Sequence, residues 1–222
     1  MRVVKNQKKH LLYWLVPLVL IVMLAIGLGI YAMMNLIVKK TDPTVYLNAE
    51  NVVVVSTDTP DEEPLTSEYA WKGAANDPKK IAINGTSINN FIQNVGVDQN
   101  GAIAVPTNIH LAGWFVDSVR PGEKGLSIID GHIDGRTRAG VFDPLTKVKV
   151  GDEVVITNGD DTRTTFKVKE LRDVTLAEAA DVLFEKKSGI ERQLNLITCV
   201  GKFDKNIQQY DRRLIVIAEA VL

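Results

Sequence analysis

The chain has a single cysteine, Cys199, among its 222 residues. No internal disulfide can form, so the fold must be held by its core and its hydrogen bonds. A lone cysteine in a domain outside the reducing cytosol is a candidate free, reactive thiol. No Cys/His cluster has zinc spacing, and Asp143 and Glu153 lack a metal-ligand spacing, so neither a metal nor another cofactor is expected. Histidine is also scarce: His10, His110 and His132 are the whole supply. Charge of either sign is not in excess, since the net charge is -1, and this gives no support to a nucleic-acid partner. No internal repeat period is present, which argues against a solenoid or propeller.

Long apolar sequence is not lacking. Residues 1–10 are basic, with Arg2, Lys5, Lys8 and Lys9, and residues 11–38 carry no charged side chain. That run exceeds the ~18 residues that mark a spanning helix. Pro17 and Asn35 are tolerable in a lipid-spanning helix. Tyr31-Ala32-Met33-Met34-Asn35 is a poor signal-peptidase site, so an uncleaved signal anchor is expected. Basic residues outnumber those after the span, Lys39 and Lys40, which places the N-terminus in the cytoplasm and the rest outside. The expected layout is a cytoplasmic tail over 1–10, a membrane anchor over 11–38, an extracellular stalk over 39–80 and a folded domain over 81–222. The stalk holds the acidic, proline-bearing Thr57-Asp58-Thr59-Pro60-Asp61-Glu62-Glu63-Pro64, which reads as an extended, solvated linker without a recognition role. The run 52–55 within it is apolar enough for a short strand.

From Ile81 onward short apolar runs alternate with turn signals. The runs are 81–83, 88–95, 103–105, 126–129, 153–156, 164–168, 194–198 and 214–221. Asn84-Gly85, Asn100-Gly101, Pro121-Gly122 and Asn158-Gly159 punctuate them. This spacing predicts an all-β domain, a sandwich or a closed barrel, with a hairpin turn at Asn158-Gly159. Two helical pieces stand out. One turn fits 137–145. A longer helix fits 176–184, with Thr175 as N-cap and Glu178 at the third helical position.

Three chemically capable side chains fall at the edges of these strands. Leu194-Asn195-Leu196-Ile197-Thr198-Cys199 places the thiol at or near a strand end. Ile128-Ile129-Asp130-Gly131-His132 ends an apolar run in an imidazole, and Arg212-Arg213 opens the strand that continues through Leu214-Ile215-Val216-Ile217. If those edges meet, the site has a nucleophile, a proton carrier and a fixed cation, which suits acyl transfer through a thioester. Each has a plainer reading. Cys199 could be a buried, inert thiol, and each of His132 and Arg213 a structural residue at a strand end. His110 competes with His132, and Arg212 with Arg213, because strand alternation lets only one of the arginine pair face the cleft. Thr198 could position substrate or thiol, or simply serve as a β-former. Asp130, Asp134 and Arg136 read as a solvated loop around the histidine.

Leu196-Ile197-Thr198-Cys199, followed by Arg213 at the head of the next strand, resembles the signature of the sortases, the cysteine transpeptidases of bacterial cell surfaces. Their pattern is Thr-Leu-X-Thr-Cys and then an arginine; Asn195 stands where the first Thr would be. Gly131-His132 matches the upstream histidine. Val105-Pro106, Gly113-Trp114, Arg120-Pro121-Gly122, Val141-Phe142, Leu145 and Gly151-Asp152-Glu153-Val154 resemble the class F-type or a closely related branch. The resemblance spans 80–222. It implies a closed eight-stranded β-barrel with one or two short helices, behind an N-terminal transmembrane helix. It implies Cys199 as nucleophile, His132 as proton carrier and Arg213 as oxyanion donor, with Thr198 on the substrate side. The segment between the strand ending near Val174 and the strand of Cys199 would wall the substrate groove. Implied partners are surface proteins or pilins with a C-terminal sorting motif of Leu-Pro-X-Thr-Gly type, and an amine acceptor from a peptidoglycan precursor or a pilin. Two other readings stand beside it. L,D-transpeptidases carry Ser-His-Gly-X-Cys, which Leu196-Ile197-Thr198-Cys199 does not match. A membrane-tethered β-domain that only binds would have a thiol unreactive to alkylation.

Overall fold

The computed structural model describes residues 23–28, 44–47, 53–56, 60–66, 69–98 and 101–221. Two compact units are present, Met1–Asp42 and Pro43–Leu222. In the first, residues 23–28 are helical and Met23, Leu24, Ile26 and Leu28 are exposed. The rest of the expected span 11–38 lies outside the described residues. Among those described, no helix is long and apolar enough to cross a membrane.

The second unit opens with an antiparallel pair, β1 (Thr44–Leu47) and β2 (Val53–Ser56). Eight further strands follow: β3 (Pro78–Ile83), β4 (Asn89–Val95), β5 (Ala112–Phe115), β6 (Gly125–Gly131), β7 (Glu153–Asn158), β8 (Arg163–Thr175), β9 (Arg192–Asp204) and β10 (Gln209–Ala220). They close into a barrel in the order β10-β8-β7-β3-β4-β5-β6-β9, with β9 bonded back to β10. The joints β4–β5 and β6–β9 are parallel and the others antiparallel. One helix, α1 (Leu176–Leu183), links β8 to β9.

Alternation along the strands sorts the apolar residues into two sets. Ile81, Ile92, Trp114, Ile129, Phe166, Leu194, Leu196, Leu214 and Val216 fill the barrel. Phe115, Leu126, Ile128, Ile215 and Ile217 point the other way and are covered by Val182 and Leu183 of α1. Burying such a side chain is worth about 1.5–3 kcal/mol. The helix therefore pins itself to the outer surface beneath the ends of β6, β9 and β10. Its start is fixed as its sequence predicts: the backbone N–H and hydroxyl of Thr175 donate to Glu178 Oε2 at 3.0 and 2.8 Å.

Several local expectations change. The strand β5 escapes a period-2 search because all four of its residues are buried, leaving no alternation. The run 103–105 forms only an isolated bridge, Val97 to Ile103. The turn expected over 137–145 is a 3-10 turn at Asp143–Lys147, with Pro144 in its first turn. Cys199 is not at a strand end. β9 continues past it to Asp204, because residues 201–204 leave the barrel as an exposed hairpin with β10.

The described stalk residues 60–66 and 69–80 lie against the barrel, and β2 packs on β4. Asp61 N–H donates to Thr107 O at 2.7 Å, and Ile109 N–H donates to Asp61 O at 2.9 Å. The Trp71 indole N–H donates to Ile92 O at 2.9 Å. Asp77, 2% exposed, takes the Arg120 guanidinium at 3.0 Å. Glu62 receives the backbone N–H groups of Arg136 and Thr137 at 2.6 and 3.0 Å, just beyond His132. The acidic segment is thus not wholly solvated: its carboxylate caps a loop that has unsatisfied amides. β3 itself begins at Pro78, before the expected domain boundary at 81.

Candidate active site

The site is built from the registers of three neighbouring strands. In the antiparallel β9–β10 pair, Cys199 is opposite Arg213. In the parallel β6–β9 pair, the last aligned residues are Asp130 and Ile197. The next step is held by Thr198 Oγ1, which donates to Gly131 O at 2.8 Å. One residue further, His132 is level with Cys199. His132, Cys199 and Arg213 therefore form a row across strands spaced ~4.8 Å apart. Ile128 and Ile215 belong to the outer cluster, so alternation puts the whole row on the outer surface of the barrel. Gly131 has to be glycine, since a Cβ there would be 2.6 Å from Phe142 Cδ2.

His132 is half-buried, with Nε2 2.9 Å from Pro106 O. A carbonyl can only accept, so in the neutral ring Nε2 carries the proton and Nδ1 is the basic nitrogen. Burial pushes the imidazole below its ordinary value, while the bond to Pro106 and the charge of Asp134 pull it up in part. For Cys199, also half-buried, burial pushes the thiol above its ordinary 9.0. The Arg213 guanidinium lowers it; Asp130 and Asp134 raise it further. Both shifts favour the uncharged forms.

Arg213 is half-buried, and its Nη1 donates to Tyr210 O at 2.9 Å and Arg212 O at 3.0 Å. Those bonds fix the plane of the guanidinium. Among the described residues its other nitrogens make no hydrogen bond, so they are free to meet an oxyanion. Arg212 faces away, with Nε on Asp173 Oδ1 at 2.7 Å. His110 is outside the row, and its Nε2 lies 3.2 Å from Glu62 O.

Thr198 differs from its expected substrate-side place. It is 3% exposed on the inner side of β9, and its hydroxyl is engaged by Gly131 O. It ties the cysteine strand to the histidine strand. The solvated-loop reading holds for Arg136, whose side chain is 92% exposed. It fails for Asp130, which is 7% exposed on β6 and has no hydrogen-bond partner for Oδ1. A carboxylate inside an otherwise apolar strand run was the signal that could have found it. Tyr210 donates its hydroxyl to Asp134, joining the β9–β10 hairpin to the loop after His132. Asn195, where the sortase pattern has threonine, is fully buried; its Nδ2 donates to Leu183 O at 2.7 Å and fixes the end of α1. Among the described residues no group of three His, Cys, Asp or Glu could hold a metal.

A thiol, a basic imidazole nitrogen and a fixed guanidinium in one row can form and resolve a thioester. The Sortase domain family model matches residues 81–221, more than half of the chain. Among solved structures, the lid mutant of sortase A from Corynebacterium diphtheriae is 23% identical, over 70% of this chain and 74% of that one, with a TM-score of 0.52. A sortase D5 transpeptidase from Clostridium perfringens is 23% identical, over 66% of this chain and 79% of that one, with a TM-score of 0.49. No curated protein sequence matches. The family match, on a closed barrel of this strand order, shows that the chain belongs to the sortase family of cysteine transpeptidases.

Proposed function

We propose that this sortase is anchored in the membrane by residues 11–38, with its barrel outside the cell, and joins proteins bearing a C-terminal sorting motif to a cell-surface amine. The observation that carries the reading is the row His132–Cys199–Arg213. As the Cys199 sulfur attacks the carbonyl of the motif's threonine, its proton passes to His132 Nδ1. Arg213 donates to the oxyanion that forms; one such donor is typically worth about 10²–10³ in rate. The tetrahedral adduct collapses, the imidazolium gives its proton to the departing amine, and a thioester remains. An acceptor amine then attacks, loses a proton to the imidazole, and leaves an amide while the thiol is restored.

The resemblance supports a Leu-Pro-X-Thr-Gly-type motif cut after the threonine, and an acceptor on a peptidoglycan precursor or a pilin lysine. The motif block quoted above supports the class F-type or a closely related branch. The charge-free run 11–38 supports the anchor.

The test is the full chain in detergent with a sorting-motif peptide library and an amine, read by mass spectrometry. The expected product is the amide. Cys199→Ala should give none. Acid as the only product, even with wall precursors at high concentration, would make the protein a membrane-anchored cysteine protease.

A further inference from the structure

Asp130 is a buried carboxyl beside the catalytic row. It shares the outer side of β6 with Ile128, one same-side step before His132, and it is aligned with Ile197 on β9. On its other flank it is opposite Gly113 of β5. The bare glycine makes room for the carboxyl: a Cβ at Gly113 would be 2.1 Å from Asp130 Oδ1. The same Cβ would be 3.0 Å from Pro106 Cγ, so the loop that bonds His132 packs beside this position. Oδ1 is buried in this recess without a partner. A buried polar atom left unpaired costs about 1–3 kcal/mol. Burial also keeps the carboxyl well above the usual carboxylate range, opposed only by its own backbone amide. An acceptor oxygen stranded in a dry recess is suited to a hydroxyl or amide donor, whose burial costs less than a cation's.

Which part of a substrate passes over it follows from the walls. On the Asp130 side of the catalytic row, α1 covers the outer surface at Ile128, Ile215 and Ile217. On the other side lie the exposed loop after His132 and the exposed β9–β10 hairpin. The retained acyl chain belongs in the walled part, shielded from water, and the leaving amine on the open side. Same-side neighbours on a strand are about 6.6 Å apart, which an extended peptide spans in about two residues.

We propose that Asp130 is a specificity-determining residue whose carboxyl pairs with a hydroxyl or carboxamide side chain of the acyl donor, one or two residues upstream of the residue that acylates Cys199. This rests on the acyl-transfer reading above and adds a polar subsite to it. A site built to bond a substrate hydroxyl rejects the analogue that lacks it, because the protein's own polar atom is then stranded.

The test uses the full chain in detergent and peptidyl chloromethyl ketones, which capture Cys199 without needing turnover. Thr/Val matched pairs are placed at each of the two positions. In the wild type, Thr should be captured ~10-fold faster than Val, or more, at one of them. Asp130→Ala should bring that ratio near one, chiefly because the Val reagent improves. Asp130→Asn, which keeps an acceptor oxygen, should retain the preference. Near-UV circular dichroism checks that each variant is folded. Ratios near one at both positions in the wild type would overturn the proposal without any variant, as would an unchanged ratio in folded Asp130→Ala. An Asp130-dependent preference in a chain that transpeptidates nothing would uphold the subsite and overturn the transfer reading.

Discussion

Arg213 is directly across the β9–β10 ladder from Cys199, so guanidinium and thiol leave the sheet on the same side. The cation opposes the burial that holds the thiol above 9.0. The rate of Cys199 alkylation by iodoacetamide should therefore rise with pH with a midpoint above 9.0. Arg213→Met should move the midpoint higher still. Asp134→Asn should move it lower, because Asp134 raises the thiol. The folded thiol value exceeds the unfolded one, so its contribution to stability is full below the unfolded value and is lost as pH rises through the folded value. A midpoint that falls in Arg213→Met would contradict the pairing.

Two adjacent arginines give an internal control. Lysine at 213 keeps the charge but cannot hold Tyr210 O, Arg212 O and an oxyanion in one plane. Arg213→Lys should lower kcat/KM by about 10²–10³. Arg212→Lys disturbs only a surface pair with Asp173 and should be mild. Steady-state kinetics of both variants checks this, and the reverse order would invert the facing.

Thr198→Val keeps the shape but withdraws the hydroxyl from Gly131 O. The loss in stability should be about 1 kcal/mol, seen as a lower Tm. Because that bond sets His132 level with Cys199, kcat should fall by roughly tenfold or more while KM changes little. An unchanged kcat with a lowered Tm would mean the bond is structural only.

Glu62 fastens residues ahead of the barrel to the loop after His132. Its hydrogen bonds to Thr137 and Arg136 hold the carboxyl below its ordinary 4.5. The folded value is depressed, so the clamp contributes above 4.5 and is lost as pH falls through the lowered value. Glu62→Gln should speed amide hydrogen exchange at Arg136 and Thr137, and remove that acid-side dependence. A chain begun at Lys80 should have a lower Tm than one begun at Pro60, since it loses Trp71 and the buried Asp77–Arg120 pair.

What could be read from the sequence follows from how each feature is encoded. The capped helix rests on neighbours, Thr175 and Glu178, and is where it was expected. The barrel is written in alternation, which works where one side is buried and fails at β5, buried on both. Alternation also says that Arg212 and Arg213 face opposite ways, but the cross-strand register is needed to show which one meets Cys199. Thr198 could not be placed from composition, because inside and outside are decided by strands far apart in the chain. The acidic stretch before the barrel looks like linker, since only tertiary contact reveals the amides that Glu62 serves.

The three reactive groups do not meet by the same route. Cys199 and Arg213 sit on one hairpin and can find each other through local pairing. His132 reaches them only through the parallel β6–β9 joint, whose Thr198–Gly131 tie spans 67 residues of chain. Closing this longer loop costs about 1.4 kcal/mol more entropy than closing the hairpin. During refolding, a correctly paired thiol and guanidinium should precede any proton carrier. Recovery of turnover then acts as a clock for closure of the barrel, and a half-folded chain cannot cut its neighbours.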